Sequence, residues 1–182
     1  MPRVRPRDAE ADVLQQALLA FDRARSWEES RAARDRLLGL GPEVLPSALA
    51  ELEHGQCPDR FDLLLALYVK WASPDETIAL ATSESTGWVL RSALAEGLGR
   101  FADIDRGTDA RTVERIAACL ARLARDADVG TRIAAVEAVG ISRMAITPEL
   151  RGALEDAAAS DSSESVREEA RMVLAELTGS AA

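Results

Sequence analysis

Residues 132–140 read Arg132-Ile133-Ala134-Ala135-Val136-Glu137-Ala138-Val139-Gly140, an arginine followed after seven residues by an aliphatic side chain and after eight by a small one. The figure returns at Arg31 with Leu38 and Gly39, at Arg91 with Leu98 and Gly99, and at Arg167 with Leu174 and Ala175. Arg60 repeats it with Leu67 but places Tyr68 in the small position. The five arginines lie 29, 31, 41 and 35 residues apart. Self-similarity at a period of roughly 20–50 residues marks a stack of supersecondary units, each too small to bury its own apolar face and completed by its neighbour.

Working outward, 182 residues at 47% hydrophobic content suffice for one continuous core. Aromatic residues make up only 4%, so Ala, Leu and Val must build that core, a composition that favours helices over strands. An all-α class is expected. The net charge of −9 repels phosphate backbones and disfavours nucleic acid as a partner. Lys70 is the only lysine among the cations, the mark of GC-rich codons and of a bacterial source. Cys57 and Cys119 are too few for a disulfide framework and have no Cys or His at metal-ligand spacing, which suits a reducing, cytoplasmic setting. Arg3, Arg5 and Arg7 alternate with Pro2 and Pro6 without a following apolar segment, and the run Leu63 to Val69 is too short to cross a bilayer. No membrane association is expected.

Punctuation divides the chain into about ten helices. The first covers Asp8 to Arg25, with Val13, Leu14, Ala17, Leu18 and Phe21 at helical spacing. Ser26 and Glu29 form a capping-box pattern for the second, which Gly39 and Gly41 end. Pro42 starts the third. After a break at Gly55 to Pro58, the segment Asp59 to Ala72 is the most apolar and is expected at the centre. Further helices are expected over Pro74 to Thr82, Thr86 to Ala102, Asp109 to Asp126, Asp128 to Met144, Thr147 to Ala159 and Ser163 to Leu177. They pair into five hairpins: one repeat domain over 8–178 between flexible tails at 1–7 and 179–182.

These residues resemble the HEAT-repeat α-solenoids. In that family the first helix carries proline, an Asp-rich turn follows, and the second helix opens with Val-Arg and runs to Leu-Gly. Here Pro42-Glu43-Val44-Leu45-Pro46-Ser47-Ala48-Leu49-Ala50-Glu51-Leu52 looks like a first helix, and Pro148 to Leu177, with Asp161 and Val166-Arg167-Glu168-Glu169-Ala170, looks like a whole unit. Tyr68 and the short helix from Pro74 depart from the pattern. The resemblance implies a right-handed superhelix that binds another protein on its concave, second-helix face.

Arg31, Arg60, Arg91, Arg132 and Arg167 read as a structural ladder, because a guanidinium near a helix start can bond acidic caps or carbonyls of the adjacent turn. The partner-binding candidates are Trp88, Glu96, Glu137 and Glu169. Glu96 and Glu137 stand five residues past successive repeat arginines, and with Glu169 they form an acidic stripe aimed at a basic partner. The competing reading is a solvated helix face. Trp88 either stands in a groove or fills the seam between repeats. A HEAT-like DNA glycosylase lines a basic groove with tryptophans, which the net charge argues against.

No enzymatic constellation, cofactor or metal is expected. The HEAT-like di-iron hydroxylases require several His-Glu pairs, whereas His54 is the one histidine and complements a helix C-terminus. Asp103, Asp105, Asp109 and Glu114 match part of a calcium-loop spacing, but Thr108 occupies the position that needs glycine. The resulting expectation is a protein-binding adaptor or regulator. An immunity-type inhibitor of a basic toxin is the first alternative, and a chromophore-handling protein like the bilin lyases that share this repeat type is the second.

Overall fold

The computed structural model describes residues 6–54, 58–103, 107–142 and 144–179; Cys57, Asp105 and most of both expected tails lie outside them. Among the described residues there are ten α-helices and one 3-10 turn, and no strand. The fold is all-α. The chain divides into two compact units, Met1–Ala72 and Ser73–Ala182.

The N-terminal unit contains α1 (Pro6–Asp22), α2 (Trp27–Leu38), a 3-10 turn (Pro42–Val44), α3 (Leu45–His54) and α4 (Pro58–Trp71). Helices α1 and α2 pack as one hairpin and α3 and α4 as the next, with α1 against α3 and α2 against α4. Leu14, Leu18, Leu52, Leu65 and Leu67 are fully enclosed. The single helix expected from Pro42 is a 3-10 turn followed by α3, since Pro46 has no N–H to donate to an α-helical bond. Ser26 Oγ accepts the Glu29 N–H at 3.1 Å, but Glu29 Oε2 accepts from Arg25 N at 2.7 Å, so the expected capping box closes one residue early. The complete box is at Ser73 and Glu76, opening α5.

The C-terminal unit holds α5 (Pro74–Ala81), α6 (Trp88–Ala102), α7 (Ala110–Leu123), α8 (Val129–Ser142), α9 (Pro148–Ser160) and α10 (Glu164–Gly179). First helices α5, α7 and α9 make one layer and second helices α6, α8 and α10 the other, and each hairpin spans both. Asp109 and Thr147 cap α7 and α9 through their side chains. Leu94, Leu98, Ile116, Leu120 and Leu150 are wholly buried between the layers, each contributing roughly 2 kcal/mol of hydrophobic stabilisation.

Helices α6 and α8 approach closely, so that a Cβ on Gly99 would lie 2.6 Å from the Ala138 carbonyl oxygen. On Gly140 it would meet Val173 Cγ2 at 3.1 Å, so in these two repeats the small residue lets the next second helix in. Gly39 does something else, ending α2 and donating its N–H to Asp35 O at 2.9 Å. Of the two remaining places, Tyr68 is buried at 2% exposure and Ala175 is exposed.

Candidate functional site

The second-helix layer of the C-terminal unit is registered by its arginines. Arg132 sits on the first turn of α8, and its Nη1 donates to the Asp126 and Ala127 carbonyls, each at 3.1 Å, in the turn that leads into its own helix. The same guanidinium grips the Asp161 carboxylate of the next turn, Nε to Oδ2 at 2.7 Å and Nη2 to Oδ1 at 2.9 Å. Arg91 repeats the arrangement one hairpin earlier: Nη1 donates to Thr86 O at 2.5 Å, and Nε and Nη2 lie 3.1 and 3.3 Å from the Asp126 carboxylate. Arg167 donates to Asp161 O at 2.6 Å. Each aspartate also accepts a backbone N–H two residues on, from Asp128 and Ser163 respectively. The Arg132 bonds hold the Asp161 carboxyl below the usual carboxylate range, and Asp161 in turn raises the Arg132 pKa.

In the N-terminal unit Arg60 pairs with Asp22 at the end of α1, Nε to Oδ1 at 3.1 Å, and lies 3.9 Å from Glu51. Its hydrogen bond is the main cause of the lowered Asp22 pKa. Arg31 is exposed and stacks over the Trp27 ring, 5.3 Å from its centroid, in its own helix. The structure therefore brings Arg91, Arg132 and Arg167 into one series through Asp126 and Asp161, and does not bring in Arg31. In the sequence Asp126 stands out only as a helix end and Asp161 only as the turn residue of the resembled unit, neither as the partner of a particular arginine. Their signal was present, since each stands six residues before a repeat arginine.

On the open side of the layer, successive turns present Trp88, Ser92 and Glu96 on α6, Val129, Ile133, Glu137 and Ile141 on α8, and Glu168, Glu169 and Met172 on α10. Trp88, Val129, Ile141 and Met172 are 54%, 47%, 61% and 55% exposed, large apolar side chains facing water. Burial, and secondarily the charge of Glu169, push the Glu137 pKa up. Glu169 on α10 is thus near enough for its charge to act on Glu137 of α8, and Glu96 takes the equivalent half-buried place on α6.

Trp88 belongs to both the surface and the seam. Its ring lies against the start of α8, where a Cβ on Gly130 would be 3.3 Å from Cζ3. Buried Thr131 Oγ1 donates to the Trp88 carbonyl at 3.4 Å, while Ser92 Oγ, 3.0 Å from the same carbonyl, reaches Thr131 Oγ1 at 3.4 Å.

Two concavities accompany the layer. One, of about 310 Å³, is lined chiefly by Ala102, Val113, Met144 and Ile146. The other, of about 230 Å³, contains Arg91, Arg122, Arg125 and Asp126, with Arg125 already bonded to Asp156 at 2.9 Å and to Ala121 O at 3.2 Å. Cys119 is buried, and burial pushes its thiol up to about 11, a poor nucleophile at neutral pH. Among the described residues no helix is long and apolar enough to cross a membrane.

No protein-family model matches the chain, and no curated protein matches it. Among solved structures it is similar to a chain in the complex of CpcE and CpcF of phycocyanin lyase from Nostoc sp. PCC7120. The two superpose with a TM-score of 0.57 at 19% identity, over 90% of this chain and 98% of that one. The likeness is one of fold. It places the chain among helical solenoids of paired α-helices, the architecture expected from the recurring arginine.

Proposed function

We propose that this chain is a non-enzymatic, HEAT-like protein-binding module, a cytoplasmic adaptor or regulator that seats a partner protein on the second helices α6, α8 and α10. Residues 8–178 act in this reading as a single repeat domain. The observation that carries it is the open face of that layer, where four large apolar side chains stand 47–61% exposed beside Glu137 and Glu169. Apolar anchors with a charged surround are what a partner surface buries. The structural neighbour, itself solved as a complex of two proteins, supports the same reading. Neutralisation of a basic effector is the form of regulation that the net charge of −9 favours.

Likeness to a phycocyanin lyase chain favours a second reading, the handling of a linear tetrapyrrole. The chemistry of the face fits it less well. Tetrapyrrole propionates are anionic, and Glu137 and Glu169 repel them.

Affinity capture from native lysate separates the readings. The expected catch is a protein, identified by mass spectrometry, whose recovery falls as salt is raised. Recovery of a pigment with visible absorbance, or of nucleic acid, in place of protein overturns the adaptor reading.

A further inference from the structure

We propose that the face centred on α8 takes a cationic amphipathic helix of about three turns, laid lengthwise; the inference rests on the protein-binding reading above and specifies the partner's chemistry. Val129, Ile133, Glu137 and Ile141 occur at every fourth residue and so form a single i, i+4 ridge, inclined by roughly 26° to the axis of α8. From Val129 to Ile141 that ridge is about 18 Å long at ~1.5 Å per residue, the length of a twelve-residue helical segment. A ridge of this spacing is complementary to the groove of another helix, the usual way an amphipathic segment is read by its i, i+4 anchors.

Charge decides what that segment carries. Three members of the ridge are apolar, and the fourth is a half-buried carboxylate within electrostatic reach of Glu169 on α10. Neither carboxylate has an ion-pair partner among the described residues. A lysine or arginine between them offsets both their mutual repulsion and the cost of burying Glu137. Met172 and Trp88 flank the ridge on α10 and α6 and supply apolar walls. A second copy of this chain is a poor occupant, because a two-fold contact through this face brings its carboxylates against their own equivalents.

The test uses the whole protein and two synthetic probes of about fourteen residues, an amphipathic helix of leucine and lysine and its leucine–glutamate counterpart. Binding is followed by calorimetry and by Trp88 fluorescence. The lysine peptide is expected to bind and the glutamate peptide not to. Glu137→Lys with Glu169→Lys is expected to weaken binding ~10-fold or more, and the control Glu114→Lys with Glu155→Lys on the first-helix layer by less than about twofold. Glu137→Gln with Glu169→Gln gives the same ordering should the lysine variant fail to fold.

Equal binding of both peptides overturns the proposal, as does equal loss in the two charge-reversed variants. So does a concentration-dependent dimer that disperses on Glu137→Lys with Glu169→Lys. If a protein captured from lysate binds that variant undiminished, the cationic-helix inference fails and the adaptor reading stands. If the lysine peptide binds as expected while lysate yields a pigment instead of a protein, the adaptor reading fails and the chemistry of the face stands.

Discussion

Arg132 holds Asp161 by two parallel bonds, Nε to Oδ2 at 2.7 Å and Nη2 to Oδ1 at 2.9 Å, across 29 residues of chain. Their side chains are only 12% and 7% exposed. Removing one partner leaves a charge withdrawn from water without its counterion, so Arg132→Ala is expected to cost about 2–4 kcal/mol in urea unfolding. Arg125→Ala breaks a single-bond pair whose side chains are 48% and 70% exposed, and is expected to cost under ~1 kcal/mol. Equal losses at the two sites refute a special role for the buried pair.

The same pair sets an acid dependence. The hydrogen bond from Arg132 places the folded-state pKa of Asp161 below its unfolded value, so the stabilisation is complete above the ordinary carboxylate range. It is lost as pH falls through the depressed folded value. Asp161→Asn should therefore melt well below the native protein at neutral pH, with the gap narrowing in acid. A gap independent of pH shows that Asp161 acts through shape alone.

Two glycines give opposite predictions. At Gly99 a methyl group meets the backbone of Ala138, which cannot rotate away, so Gly99→Ala is expected to destabilise by about 1–3 kcal/mol despite the better helix former. At Gly152, within α9, nothing lies within 4 Å of the added Cβ. Gly152→Ala should stabilise by about 0.5–1 kcal/mol. Thermal melts of the two variants check both signs.

Burial, and secondarily the charge of Glu169, disfavour the ionised form of Glu137. Its folded pKa is raised, so its contribution is favourable below the unfolded pKa and is lost as pH rises through the folded one. Glu137→Gln is expected to raise the melting temperature at pH 7 and to leave it unchanged below the carboxylate range. A lower melting temperature at pH 7 shows instead that the carboxylate makes a stabilising contact.

Alkylation of the native protein, read by peptide mass spectrometry, should leave Cys119 unmodified until denaturant is added. Burial both hides the thiol and keeps it protonated, its pKa near 11. Rapid native labelling contradicts that placement.

How far residues can be read without coordinates differs from element to element. The arginine period made the stacked hairpins legible, and Gly99 and Gly140 stand at the helix seams because the unit repeats. Asp126 and Asp161 carried the same periodic signal but stand in turns, where an acidic residue reads as an ordinary cap or turn residue rather than as the counterion of a distant arginine. The Ser26–Glu29 pattern looked complete, yet Glu29 reaches Arg25 N, a choice made by loop geometry. Val129 and Ile141 were the hardest to recognise, since apolar residues at helical spacing look the same whether or not another helix covers them. Only the packed layer distinguishes a core stripe from an open one.

The arginine series in the C-terminal unit also has a direction. Arg91 and Arg132 precede their carboxylates by 35 and 29 residues, whereas each finds carbonyls within its own turn. During synthesis, then, the newest guanidinium is always anchored locally while its distant counterion has yet to be made. A chain halted after α8 would present Arg132 unpaired at its growing end, and arrival of the next hairpin would neutralise it, so that electrostatic completion of each repeat waits on the one that follows.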